Sequence, residues 1–351
     1  MNTDYFSLDY SELDTAIENL LPQKEIPGFS EIISGFLEGR IPFGELFSMF
    51  RSSGSQGLLY GLFGVKEMIL VAVVAAVFYI LSKTGKQGQA AQTGFFVAYL
   101  LIVAGTFQIY ETSRAIVSET LTALIDFMMV LLPTYCTGVA IATGGLSASV
   151  FYQAAMFGIT VVSLVLRNLI LPVVGLYFTL SILNRILEED FLSKLADLFY
   201  SIAETLMKIS VAAVLGIGAI QGIIAPAADA VKRSAVIKTA GAIPVVGDLL
   251  DGTTQTVMAA GILLKNTIGA AGAVFVFLIC LSPMVRVGIA NVSLRFGAAV
   301  LQPISDKRIT DCLGYAAKAH RLLVKLLLYT MLLFLLTILF IAILTGSKGG
   351  V

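Results

Sequence analysis

Residues 326–344 read LLLYTMLLFLLTILFIAIL, nineteen consecutive positions without a charged side chain. A helix needs roughly 20 apolar residues to cross the hydrocarbon layer of a membrane. Backbone N–H and C=O groups have no water to bond with inside that layer, so such a run has to be helical. The stretch therefore predicts a transmembrane helix, and it is the strongest such signal in the chain.

The composition of the whole chain agrees with this stretch. Hydrophobic residues make up 57% and charged residues only 13% of the 351 positions, whereas about a quarter of a soluble domain is charged. We predict an all-α, polytopic membrane helix bundle with the lipid bilayer as its main partner. The formal net charge is zero, so no basic surface is available for nucleic acid.

Other charge-poor runs give about seven or eight spans in total. A charge-free region at 127–166 is too long for one crossing and contains Gly144 and Gly145, where we expect a turn. The run at 169–183 is barely long enough, and the count falls to seven if it does not cross. The predicted spans are 68–82, 93–110, 121–143 (kinked at Pro133), 149–166, 169–183, 211–224, 267–281 and 326–344.

Three parts of the chain are more polar than the spans. Residues 1–67 form an acidic region with two short amphipathic helices, one around Phe29–Leu37 and one after Pro42, which lie on the membrane or dock onto a neighbour. Residues 191–209 form an amphipathic interfacial helix in which Glu204 and Lys208 are spaced as an ion pair. Residues 285–325 are a basic connector. The predicted organisation is thus an acidic N-terminal region at 1–67, a transmembrane domain at 68–345 and a tail at 346–351.

Charge asymmetry between the connectors predicts a topology. The basic connectors, around Lys83 and at 285–325, favour the cytoplasm, and the acidic regions 1–67 and 111–120 favour the opposite side. Both chain termini then lie outside. The start MNTDYFSLDY has neither the basic nor the apolar part of a signal peptide, so we expect none there.

Residues 226–265 contradict this scheme, because they carry several basic residues and yet fall outside the cytoplasm. Pro244 breaks a helix and Gly247 allows unusual backbone angles. The segment is either a membrane-embedded helical hairpin or an ordinary extramembrane loop. In the first case a helix is followed by a turn formed by Ile243, Pro244, Val245, Val246 and Gly247, and a second helix starts near Asp251–Thr254.

The chain offers little that suggests catalysis, a cofactor or a metal. His320 is interpreted as a hydrogen-bonded histidine at the membrane interface, and the three cysteines, at no metal-ligand spacing, as apolar filler. Asp126 precedes a long apolar run, which makes it a candidate intramembrane acid, although it can also lie at the level of the lipid headgroups. We therefore expect no enzymatic activity and no catalytic, cofactor or metal site.

Three motifs resemble those of the stage III sporulation protein AE family. They are LLPTYCTGVAIATGGLSAS at 131–149, which contains Gly144 and Gly145, AIPVVGDLLDGTTQTV at 242–257, and GILLKNTIGAAG at 261–272, which contains Lys265 and Asn266. The resemblance covers roughly residues 10–345. It implies a multi-pass protein of the mother-cell-derived outer forespore membrane in Firmicutes. The implied partners are the membrane and ring subunits of a channel or secretion-like complex and its ATPase.

Two functions follow as alternatives. The first is a non-enzymatic membrane core component of that complex, needed for late forespore development. The second is a secondary transporter acting alone, in which the broken segment at 240–265 places helix ends and glycine backbone near the bilayer midplane.

Overall fold

A computed structural model describes residues 10–20, 27–38, 66–81, 88–143, 146–187, 190–240 and 247–344, together with the isolated residues 44 and 51. Side chains are described in these ranges except at 19–20, 88, 142–151, 221–260 and 344. Within the described residues the ordered elements are all helices. The prediction of an all-α protein is confirmed to that extent.

The helices are numbered here in chain order. They are α1 (Ser11–Leu20), α2 (Phe29–Leu37), α3 (helical residues 66–81), α4 (Gly88–Thr143), α5 (Leu146–Val165), a π-helical turn (Leu166–Ile170), α6 (Leu171–Ile186), α7 (Ser193–Ala240), α8 (Gly247–Leu301) and α9 (Lys307–Leu344).

Five helices among the described residues are long and apolar enough to cross a membrane, fewer than the predicted seven or eight spans. They cover Gln89–Ile141, Tyr152–Ile186, Ser193–Ile220, Gly261–Leu301 and Lys307–Ile343. The number is lower because two pairs of adjacent predicted spans are each parts of one continuous helical segment, and because the span predicted at 68–82, which corresponds to α3, is not among the five. α4 joins the spans predicted at 93–110 and 121–143, since the polar connector ETSRAIVSET between them contains neither glycine nor proline. A change in polarity there does not end the helix.

The same fusion affects the segments around α5, α6 and α7. The polar pair Arg167–Asn168, predicted to interrupt two spans, forms a single π-helical turn that connects α5 directly to α6. The predicted interfacial helix at 191–209 continues as α7 through the predicted span at 211–224 and as far as Ala240.

Three long helices, α4, α8 and α9, pack side by side in a fixed register. Thr106 Oγ1 lies 3.7 Å from Cys312 Sγ, and Tyr135 Oη donates a hydrogen bond of 3.4 Å to the carbonyl of Ile338. Because both pairs are offset by nearly the same number of residues, α4 and α9 are parallel. α8 is antiparallel to both, and its tight turn at 302–306 leads into α9, where the Asp306 carboxylate accepts a hydrogen bond from Arg308 N.

This register corrects two predictions. Residues 285–325 are not a connector but the end of α8, a turn and the first half of α9. In addition, the acidic segment 111–120 of α4 lies beside the basic segment 315–325 of α9, with the rings of Tyr110 and His320 6.1 Å apart. The predicted topology placed these two segments on opposite sides of the membrane. In a flat bilayer they lie on the same side.

The core consists of two clusters that follow one another along the long helices. The first joins α3, the first part of α4, α6, the start of α7, the end of α8 and the start of α9. The second joins α1, α2, the last part of α4, α5, the middle of α8 and the end of α9. We call the second region the glycine-rich end of the molecule. α3 and residues 88–110 of α4 form the opposite extremity, which we call the hairpin end.

α1 and α2 dock onto the glycine-rich end. In α2, Phe29, Ile32 and Ile33 are buried, and the ring of Phe29 stacks on Phe275 of α8 at 5.7 Å. The first N–H groups of α2 are bonded by the Asp14 carboxylate of α1, which accepts from Phe29 N and from Ser30 N. Of the two predicted alternatives for this helix, docking onto a neighbour is therefore the observed one.

Candidate functional site

The predicted motifs at 131–149 and 261–272 meet in the glycine-rich end, where α4 crosses α8. A Cβ atom added to Gly269 would lie 2.7 Å from Tyr135 Oη, and one added to Gly272 would lie 2.6 Å from Leu131 Cδ2. Small residues at helix contacts let backbones approach closely, which is how helices commonly associate in membranes. The two motifs thus form one close-packed contact.

Lys265 is the charged residue inside this contact. Its side chain is 1% exposed, and its Nζ donates a hydrogen bond of 3.2 Å to the carbonyl of Ala342. Ala342 belongs to the last turn of α9, which carries the negative end of the helix dipole. The ammonium group therefore joins α8 to the end of α9. The neighbouring Asn266 is exposed.

The remaining predicted residues are not brought to this contact by the described part of the chain. Gly144, Gly145, Ile243, Pro244, Val245 and Val246 lie outside the described residues, and Gly247 is the first residue of α8. Among the described residues, the predicted second helix thus begins at Gly247 instead of near Asp251. The preceding helix is not short, because it is the end of α7. Asp126 lies on an exposed face of α4.

Polar contacts between helices in the first cluster were not predicted. The Glu204 carboxylate forms an ion pair with Lys325 of α9 and accepts a hydrogen bond of 3.1 Å from Tyr200 Oη, whereas the sequence had suggested Lys208 as its partner. Arg185 of α6 donates to Tyr315 Oη at 2.9 Å, and the same residue lies 3.4 Å from Asp311. In the sequence, the signal for these contacts was the presence of charged residues in otherwise apolar helices. Their partners could not be assigned from it, because they depend on how the helices are aligned along one another.

His320 lies in the same region and is completely buried between α9 and α4. Its Nδ1 is 2.8 Å from the carbonyl of Ala316, and Tyr110 packs edge-on against the ring. The contact with Ala316 agrees with the interpretation of His320 as a hydrogen-bonded histidine, and because α4 covers this face of α9 the ring lies inside the bundle. Cys136, Cys280 and Cys312 are free and buried, as predicted for apolar filler.

The described residues do not bring together three or more His, Cys, Asp or Glu side chains that could hold a metal ion. A small cavity of about 30 Å³ lies between α5, α7 and α9, and its lining is almost entirely apolar. What the arrangement does build is a close-packed, glycine-lined helix contact with one buried ammonium group.

Together, the long apolar helices, their glycine contacts and the ion pairs between them define a multi-pass membrane protein of the helix-bundle class. A profile of the stage III sporulation protein AE family matches residues 29–345. The chain therefore belongs to the stage III sporulation protein AE family. It is similar to Stage III sporulation protein AE of Bacillus subtilis (strain 168), with 24% identity over 323 residues that cover 91% of this chain and 80% of that protein. No solved structure matches the chain.

Proposed function

We propose that this protein is a non-enzymatic membrane core component of a channel or secretion-like complex between mother cell and forespore, and that late forespore development requires it. The observation that carries the proposal is the family match, which extends from α2 to α9 and so includes both clusters of the core except for α1. In this proposal the protein resides in the mother-cell-derived outer forespore membrane. Other membrane and ring subunits of the complex, and its ATPase, are its partners.

The site residues take part as a structural motif. The contact of Gly269 and Gly272 with α4 and the bond from Lys265 to Ala342 hold α4, α8 and α9 in one register. Gly144, Gly145, Asn266 and the segment Ile243–Gly247 complete the proposed motif. A platform of this kind needs no catalytic group of its own when another subunit supplies the energy.

The proposal is tested by isolating the affinity-tagged chain from sporulating cells in a mild detergent and identifying co-purified proteins by mass spectrometry. We expect the other subunits of the complex in a constant ratio. A tagged, unrelated multi-pass protein from the same cells is the control. If the chain instead purifies alone as a monomer that a small solute stabilises, the core-component proposal fails and the stand-alone transporter is favoured.

A further inference from the structure

One face of α9 is exposed between α7 and α8 over most of its length. α7 packs on the side of α9 that carries Phe340, since Gly218 of α7 meets that ring, and α8 packs on the side that carries Ala342. At about 100° per residue, the surface of α9 between these two contacts forms a stripe. Its exposed members, three, four or seven positions apart, are Lys318, Arg321, Leu328, Leu332, Leu339 and Ile343.

The stripe is basic in its first part and aliphatic in its second. Lys318, Arg321 and the half-buried Lys325 precede the uncharged positions 326–344. These positions extend for about 29 Å along the helix axis, which matches a hydrocarbon layer of about 30 Å. The three cations therefore lie at the level of the lipid headgroups, and the aliphatic part of the stripe faces the acyl chains.

The carboxylates beside the basic part of the stripe already have partners. Glu204 pairs with Lys325, and Asp311 pairs with Arg185 of α6. Within the described part of the chain, the two exposed cations of the stripe have no carboxylate partner. α7 adds a further exposed cation, Lys208, one turn after Glu204. The stripe and its border on α7 thus carry an excess of positive charge.

At the same depth, α4 presents the opposite charge. Glu119 and Asp126 are exposed on one face of this helix, and the exposed Met129 follows them on that face. The parallel register of α4 and α9 puts Met129 level with Leu332. Basic residues at the membrane surface attract anionic lipids and acidic residues repel them. Anionic headgroups are therefore favoured along α9 and disfavoured along α4.

We propose that the α9 stripe binds an anionic phospholipid of the surrounding bilayer. Arg321, together with Lys318 and Lys208, holds the phosphate, and an acyl chain lies along the leucines of the stripe. A guanidinium group donates two parallel hydrogen bonds to phosphate oxygens, and a lysine ammonium group adds a compact charge. The leucines continue from the headgroup level toward the other side of the membrane, which is the direction that an acyl chain takes.

The chain contains no tryptophan, so a single introduced tryptophan reports on the lipid beside it. The full chain carries either Leu332→Trp, at a position 39% exposed, or Met129→Trp, at a position 43% exposed and equally deep. Each variant is reconstituted in vesicles of phosphatidylcholine with a minor share of phosphatidylglycerol. The acyl chains of one lipid or the other are brominated and quench tryptophan on contact. We expect phosphatidylglycerol to be enriched about fivefold over its bulk share at position 332, the effect of one cation near a membrane surface, and not at position 129.

Charge-removing variants identify the cations responsible. Lys318→Gln with Arg321→Gln should abolish the enrichment at position 332. Arg167→Gln removes an exposed cation of the π-helical turn, outside the stripe, and should leave the enrichment unchanged. The proposal is overturned by equal enrichment at positions 332 and 129, or by enrichment that survives the double substitution. It is also overturned if neither brominated lipid quenches the tryptophan at position 332, since protein would then cover the stripe.

Discussion

At the scale of single residues, the contact between α4 and α8 depends on positions without a side chain. Gly269 and Gly272 follow each other on the face of α8 that meets Tyr135 and Leu131. Tyr135 in turn donates a hydrogen bond to the Ile338 carbonyl of α9. A methyl group on this face would displace a ring that connects three helices.

We expect Gly269→Ala to be less stable than Gly288→Ala by about 1–3 kcal/mol, the usual cost of overpacking. Both positions lie in α8, so the gain in helix propensity of about 1 kcal/mol is common to the two variants. A Cβ on Gly288 has no neighbour within 4 Å. Thermal unfolding in detergent measures the difference. Equal stabilities would show that the close approach at Gly269 has no energetic role.

Lys265 and Asn266 provide an adjacent buried and exposed pair. Lys265→Glu would place a carboxylate against the Ala342 carbonyl. We expect this variant to lose about 3–5 kcal/mol of its free energy of unfolding, the typical cost of an uncompensated buried charge. Asn266→Glu introduces the same side chain at an exposed position and should cost much less. The apparent melting temperatures of the two variants decide this. A similar decrease in melting temperature in both variants would show that the buried position of Lys265 has no special role in stability.

At the scale of helices, the Glu204–Lys325 pair fixes α7 against α9. Because the two side chains remain 26% and 31% exposed, we expect a coupling energy of only about 0.5–1 kcal/mol. Glu204→Lys and Lys325→Glu should each destabilise the protein, and the double variant with swapped charges should recover most of the loss. Lys208→Glu serves as the control on the same helix. Additive effects of the two single substitutions would argue against the pair.

The link between α6 and α7 predicts a pH dependence. The Asn184 amide donates a hydrogen bond to the Asp190 carboxylate and lowers the pKa of that residue below its ordinary value of 3.8. An acid with a depressed pKa stabilises the fold above its ordinary pKa, and this contribution is lost as the pH falls through the lowered value. Asp190→Asn should thus reduce stability at pH 7 and have no effect below the lowered pKa. Thermal unfolding between pH 7 and pH 2 checks this, with Asp197→Asn as the control.

The helices themselves could be predicted from the sequence, but their ends could not. Charge-free runs correctly indicated the helical segments in α4, α5, α8 and α9. The errors arose wherever a polar connector was interpreted as a break, as at 111–120 and at Arg167–Asn168. A helix ends where its backbone geometry changes, and these connectors contain neither glycine nor proline, the two residues that most disfavour a helix. The polarity of a segment alone therefore does not show where a helix ends.

At the scale of the whole molecule, the parallel register of α4 and α9 predicts labelling from a single side. Single cysteines at Glu119 and Arg321, both exposed, should react with an impermeant thiol reagent added to the same face of sealed vesicles. The charge-based topology predicts opposite faces instead. A cysteine at Phe157, expected in lipid, serves as the unreactive control. Labelling of 119 and 321 from opposite faces would contradict the register.

The candidate site shows a similar division between what sequence can and cannot predict. The motif residues Lys265 and Asn266 were identified as a pair, yet only the fold shows that one is buried against Ala342 and the other is exposed. The partners of Glu204, Arg185 and His320 lie on other helices, far along the chain. Such pairs depend on helix register, which single-residue properties do not encode.

The uninterrupted course of α4 also has a mechanical consequence. Between Tyr135 and Val97 the helix is a single rod of about 57 Å. Both clusters of the core pack against this one rod. A shift of α4 along its axis at the glycine contact therefore shifts its packing in the first cluster by the same distance, which separate short helices joined by loops would not do.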